Sequence, residues 1–177
     1  MSLFVCIEGL DAAGKTTVSR ALARALKARY YKSPGGPYAK ARKIVDKVVD
    51  PLTRYFFYRA AVQYDSGVIR NILKEKSVVC DRYIYSTVVC HVAMDERIQS
   101  LFEMTGLVMP DYVFVLTADE DVRVKRLAKR RAISVVERNL PLQRKIDQLF
   151  KAQGHPMIDT THTKVKGVVE MILKRLN

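Results

Sequence analysis

Gly9-Leu10-Asp11-Ala12-Ala13-Gly14-Lys15-Thr16 has the spacing G-x-x-x-x-G-K-[ST] and follows directly on the apolar run Leu3-Phe4-Val5-Cys6-Ile7. A buried strand, a glycine-bearing turn and a Lys-Thr pair in this order describe a phosphate cradle. Gly9 and Gly14 let backbone N–H groups turn inward around the β- and γ-phosphates of a nucleotide, and Lys15 carries a mobile cation to the same oxygens. The Thr16 hydroxyl is placed to hold Mg²⁺. Beyond it Val18, Ala21, Leu22, Ala25 and Leu26 recur at helical spacing, so the loop feeds a helix N-terminus whose unpaired N–H groups attract anions. Gly9, Ala12, Ala13, Gly14, Lys15, Thr16 and Thr17 are the expected ATP-binding stretch.

Outward from the cradle, apolar β-rich segments lie at 3–7, 28–32, 77–80, 112–117 and 155–158. Helical patterns between them cover 15–27, 37–49, 53–74, 84–104, 119–131, 136–152 and 163–175. Strands alternating with helices predict an α/β chain in three layers, a five-stranded parallel sheet covered by helices on both faces. With 177 residues and 49% hydrophobic composition, one domain over 1–177 accounts for the whole chain.

Cys6, Cys80 and Cys90 are an odd set without metal-ligand spacing, which suits reduced, packed thiols and a cytoplasmic protein. The longest uncharged run, Tyr83 to Met94, is too short to span a bilayer, and no basic leader precedes the first apolar run, so neither membrane insertion nor export is expected. The net charge of +13 calls for a polyanionic partner, a nucleotide or else nucleic acid or an anionic membrane face. Six of the nine residues from Arg123 to Arg131 are basic, and Arg123, Arg126 and Arg130 fall on one helical face.

In an open α/β sheet the ligand lies beyond the carboxyl ends of the strands, where Val79-Cys80-Asp81-Arg82-Tyr83 puts an acid and a base. Asp81 is expected to hold Mg²⁺ with Thr16, directly or through water, and Arg82 to offer its two-pronged donor to a phosphate. These residues carry a resemblance. Ile7 through Thr17, then Ser33-Pro34-Gly35-Gly36, then Val79 to Tyr83 with Ser86, look like the thymidylate kinases among the nucleoside monophosphate kinases. Pro110-Asp111-Tyr112-Val113-Phe114-Val115-Leu116 resembles their fourth core strand, and Ile158-Asp159-Thr160-Thr161 their late strand and adenine-side loop.

The resemblance implies transfer of the γ-phosphoryl group of ATP to a nucleoside monophosphate, dTMP first, with Mg²⁺, in a homodimer. It assigns Asp11 to the acceptor's sugar and phosphate, Arg82 to the acceptor phosphate with Ser86 beside it, and Asp81 to the metal's side. An arginine-rich lid over about 129–140 follows, with Arg130 and Arg131 as its catalytic candidates. The family's base-stacking aromatic and base-reading arginine, spaced F-x-x-x-R, find candidates in Tyr55 and Arg59, with Phe57 and Tyr58 as alternative stackers. Where the family has Ala-Tyr-Gln after Asp-Arg-Tyr-x-x-Ser, this chain has Val89-Cys90-His91, so the selections made there by Tyr against a ribose and by Gln near the base are open. His91 on its apolar stretch reads as packed.

Two rival readings remain. A kinase of a nucleoside or another small acceptor needs a carboxylate base, for which Glu8 is available. A nucleotide- or nucleic-acid-binding protein without turnover needs a basic surface away from the pocket. Binding of nucleic acid is the less expected outcome.

Overall fold

A computed structural model describes residues 2–48, 50–130 and 133–176 of the chain. Its strands are β1 (Phe4–Gly9), β2 (Arg29–Lys32), β3 (Val78–Asp81), β4 (Tyr112–Thr117) and β5 (Met157–Asp159). They form one parallel sheet in the order β2-β3-β1-β4-β5, with Cys6 opposite Cys80 on one side and Val113 on the other. The helices are α1 (Lys15–Ala25), α2 (Gly36–Val45), α3 (Pro51–Leu73), α4 (Ile84–Met94), α5 (Glu120–Ala128), α6 (Val135–Arg138), α7 (Leu140–Ala152) and α8 (Val165–Leu176), with a 3₁₀ turn at Glu96–Leu101.

Every residue of β1 is buried, as a central parallel strand covered on both faces requires. Its side chains alternate between two cores. Phe4 and Cys6, with Val78 and Cys80 of β3, pack on Tyr55, Val62 and Ile69 of α3 and Ile84, Val88 and Val92 of α4. Val5, Ile7 and Val79 face the other way, onto Val18 and Leu22 of α1 and Val168 and Ile172 of α8. Ile146 and Phe150 of α7 close a third cluster on Leu10, Val89, Ala93 and Val115. The three-layer α/β/α architecture and five-stranded parallel sheet expected from the sequence are therefore present. Among the described residues, no helix is long and apolar enough to cross a membrane.

Two expected helices are each broken in two. The pattern over 84–104 ends at Met94, because Asp95 adopts extended backbone angles and turns its carboxylate back to the Arg97 N–H. The pattern over 136–152 breaks at Asn139, whose side chain caps α7 through the Leu142 N–H at 3.1 Å. Pro141 has no N–H to continue a helix from α6. Helix α5 stops at Ala128, so Arg130 lies past its end instead of on one face with Arg123 and Arg126. Arg131 and Val49, both part of expected helices, lie outside the described residues.

Candidate active site

The turn after β1 owes its shape to specific backbone needs. A Cβ at Gly9, which has φ +125°, would fall 2.1 Å from the Leu116 carbonyl oxygen, so only glycine fits there. Gly14 at φ +90° caps α1, whose first turn carries no acidic residue to neutralise its positive end. Ala12 takes a left-handed φ of +62° despite its Cβ.

Charged side chains converge on this loop, and each has a partner. The Lys15 ammonium is 6% exposed, donates to the Leu10 carbonyl at 2.5 Å and lies 4.0 Å from the Asp11 carboxylate. Burial, and then the nearby Arg82 charge, bring its pKa down to about 7. Arg82, itself at φ +70°, donates to Asp11, to the Gly9 carbonyl at 3.2 Å and to the Ser86 hydroxyl at 3.0 Å. Burial alone would raise the Asp11 pKa; Arg82, Lys15 and Arg130 together pull it down to about 2. Asp81 accepts from the Thr16 hydroxyl at 2.5 Å and the Tyr30 hydroxyl at 3.2 Å, and Lys32 sits 3.3 Å away. Burial opposes its ionisation, and the Thr16 hydroxyl and Lys32 hold its pKa below the usual carboxylate value all the same.

A cavity of about 400 Å³ opens over these groups. Asp11, Ala12, Gly14, Lys15, Thr16 and Thr17 line one end, with Asp81, Arg82 and Ser86 beside them. Gly9 and Ala13 do not reach it; Ala13 is fully buried and Gly9 is packed against β4. At the other end stand Arg42, Asp46, Arg54 and Tyr58 from the α2–α3 region and Thr87, Cys90, His91 and Met94 from α4. Arg130, Ser134, Val136 and Glu137 border it from the stretch between α5 and α7, where the Arg130 guanidinium rests 2.6 Å from the Glu137 carboxylate.

The expected base-binding set needs correction. Tyr55 is 1% exposed, donates to the Leu101 carbonyl and belongs to the core. Phe57 packs between Tyr38 and Tyr58 without reaching the cavity. Arg59 points outward to the carbonyls of Glu103 and Thr105. The residues one position earlier in the helix turn do line the cavity: Arg54 and Tyr58 stand four apart on one face of α3, about 100° round from Tyr55 and Arg59. Tyr58, one of the alternative stackers, is held by its hydroxyl on Asp46 at 2.5 Å.

His91 is both packed and part of the cavity wall. Its Nδ1 lies 2.6 Å from the Thr87 carbonyl, which only accepts, so Nδ1 is assigned the proton and Nε2 is left as an acceptor. Burial, reinforced by Arg54, lowers its pKa to about 4 and keeps the ring neutral. Among the described residues, His91 Nε2 and Arg54 Nε are both buried without a hydrogen-bond partner.

Glu8 is fully buried and receives the N–H groups of Tyr83 and Ser86, at 2.9 and 3.2 Å, and the Ser86 hydroxyl. It thereby caps the start of α4, where Tyr83 offers no side-chain cap, and it does not line the cavity. Glu8 is therefore not placed to act as the base of a nucleoside-phosphorylating reading. In the basic run, Arg123 is buried and donates to Ala118 and Gln143, and Arg126 reaches the back of the loop at Ala12; neither faces the cavity.

Comparison with known proteins agrees with this geometry. A family model described as thymidylate kinase matches residues 7–172. A probable thymidylate kinase of Methanocaldococcus jannaschii is 28% identical over 97% of this chain and 94% of its own, and the thymidylate kinase of Mycoplasma mobile is 30% identical over 72% and 71%. The solved thymidylate kinase of Candida albicans shares the fold at a TM-score of 0.80, with 22% identity over 99% of this chain and 91% of that one. The cradle after β1, Asp81-Arg82 after β3, the matched sequence and the shared fold lead to one conclusion: this chain belongs to the thymidylate kinase family of P-loop nucleoside monophosphate kinases, and its chemistry is phosphoryl transfer of that class.

Proposed function

We propose that the chain transfers the γ-phosphoryl group of ATP to dTMP, giving ADP and dTDP. ATP takes the P-loop end, where the N-terminus of α1 and the backbone N–H groups surround its phosphates and Lys15 leaves the Leu10 carbonyl for them. The acceptor phosphate meets Arg82, whose fork is already oriented by Asp11, Gly9 and Ser86. Arg130 turns from Glu137 to the negative charge when the lid closes. The attacking group is a phosphate oxygen, already ionised, so the site needs position and positive charge and no general base.

Mg²⁺ fits the residues present. The Thr16 hydroxyl and the Asp81 carboxylate, 2.5 Å apart, are hard oxygen donors. Among the described residues no group of three or more His, Cys, Asp or Glu could enclose a metal, which suits an ion that keeps waters and phosphate oxygens as its remaining ligands. When bound, Mg²⁺ neutralises phosphate charge. The free thiols of Cys6, Cys80 and Cys90 suit a reducing compartment, the cytoplasm.

The observation that bears on the choice of base is that two residues lining the cavity, Arg54 and His91, each hold a buried nitrogen without a partner among the described residues, a donor on Arg54 and an acceptor on His91. Thymine and uracil present a carbonyl beside an N–H and supply both missing partners. Cytosine presents an amino group and a bare ring nitrogen there, and each would face its own kind. ADP production measured with ATP, Mg²⁺ and a panel of monophosphates tests the reading. Turnover is expected with dTMP and UMP well above CMP and AMP, whose bases place an amino group beside a bare ring nitrogen. Equal turnover with CMP, or none with any pyrimidine monophosphate, contradicts it.

A further inference from the structure

We infer that Arg126 is a positioning residue for ATP, bracing the P-loop from behind in its phosphate-binding shape. The inference rests on the reading of the P-loop as the ATP cradle. A loop that turns its N–H groups toward a ligand turns carbonyls away from it, and buried carbonyls need donors. Here the donors come from two residues remote in sequence. Arg126 Nη1 donates to the Ala12 carbonyl at 3.2 Å, and the Thr160 hydroxyl lies 2.9 Å from the Ala13 carbonyl.

The two donors are themselves tied together. The same guanidinium donates to the Thr160 carbonyl at 2.7 Å and to its hydroxyl oxygen at 3.2 Å. Thr160 is anchored to the sheet, with its backbone N–H and its hydroxyl each 2.9 Å from the Thr117 carbonyl at the end of β4. Arg126 thus joins α5, the segment after β5 and the P-loop at the one loop residue, Ala12, that holds a left-handed φ without being glycine. Strain of that kind persists only where the surroundings enforce it. The brace lies outside the cavity, so Arg126 shapes the cradle without touching the phosphates.

The test is equilibrium binding of ATP and of dTMP, with the melting temperature, for the parent, Arg126→Met and Thr160→Val. Arg126→Met is also made in an Ala12→Gly background. Arg126→Met is expected to weaken ATP binding roughly tenfold and dTMP binding less than about twofold, and Thr160→Val to weaken ATP about threefold. With glycine at position 12 the left-handed turn is free of strain, so the effect of Arg126→Met on ATP falls to about threefold or less. Unchanged ATP affinity in Arg126→Met overturns the inference. So does an equal loss for both nucleotides with a lowered melting temperature, which marks general structural damage, or an equal loss of ATP affinity in both backgrounds. Failure of the parent itself to bind ATP removes the cradle reading, and this inference with it.

Discussion

At the phosphate end of the cavity every charged group is partnered before any ligand arrives: Lys15 on Leu10, Arg82 on Asp11 and Ser86, Asp81 on Thr16 and Lys32. At the base end Arg54 and His91 each keep one buried nitrogen unpartnered among the described residues. The first end is an electrostatic mould whose parts hold one another, suited to charge that is the same on every nucleotide. The second is a set of unmet needs, suited to selecting one base. Rate should therefore be lost at the phosphate end and selectivity at the base end.

The largest expected effect lies in the mould. Lys15→Ala is expected to lower kcat on the order of 10²–10³ with the melting temperature little changed, because the cation at the β- and γ-phosphates goes while the backbone cradle stays. Steady-state kinetics beside a thermal melt check it. Activity within a few-fold of the parent would break the contrast between the ends.

At the base end, Arg54→Met is expected to raise the KM for dTMP about tenfold with kcat within a few-fold, since a buried hydrogen bond from a charged group is worth roughly 1.5–3 kcal/mol. Arg59→Met, one face away on α3 and bonded to the carbonyls of Glu103 and Thr105 and to Gln63, should change it less than about twofold. A reversed order between the two variants would return the base-reading role to Arg59.

A smaller, stoichiometric effect tests the parked lysine. In the ligand-free protein the Lys15 pKa lies near 7, below the ordinary lysine value, and phosphates beside it raise it again. Above about pH 7 the free protein lacks the proton that the complex holds. ATP binding at pH 8 should then take up most of a proton, and affinity should fall as pH rises. Calorimetry in two buffers of different ionisation heat measures the uptake, which should disappear in Lys15→Met.

The smallest effect is expected at Cys90. Its side chain lines the cavity at the place where the resemblance drawn from the sequence puts a tyrosine beside the sugar, and a residue as small as Cys would leave room there for a hydroxyl. Discrimination of dTMP from UMP in kcat/KM should be modest in the parent and rise several-fold in Cys90→Tyr. A parent that already rejects UMP strongly removes Cys90 from the selection.

The difference between the ends also explains what the sequence made legible. The cradle is contiguous, and its strand, glycines and Lys-Thr pair are adjacent in the chain; Asp81-Arg82 follows a strand just as directly. The base pocket is assembled from α3 and α4, and there a register error of one residue moves a side chain 100° around the helix, from Arg54 in the cavity to Tyr55 in the core. Apolar periodicity crossed the breaks at Asp95 and Asn139 because the interruption is made by single capping side chains. One such signal was readable: Ser134-Val135-Val136-Glu137 has the S-x-x-E spacing of the capping box found at α6. Neither the carboxylate of Glu8 capping α4 from 75 residues away nor the Arg126 contact to Ala12 across 114 residues leaves any local pattern.

The central claim is that the phosphoryl group passes from ATP directly to a phosphate already on the acceptor. It is tested most directly by supplying γ-³²P-labelled ATP with dTMP in one tube and with thymidine in another, then separating the products. The account predicts label in dTDP from the first tube and none in dTMP from the second. Label in dTMP made from thymidine, or no dTDP in the first tube with the label left in ATP, would contradict it.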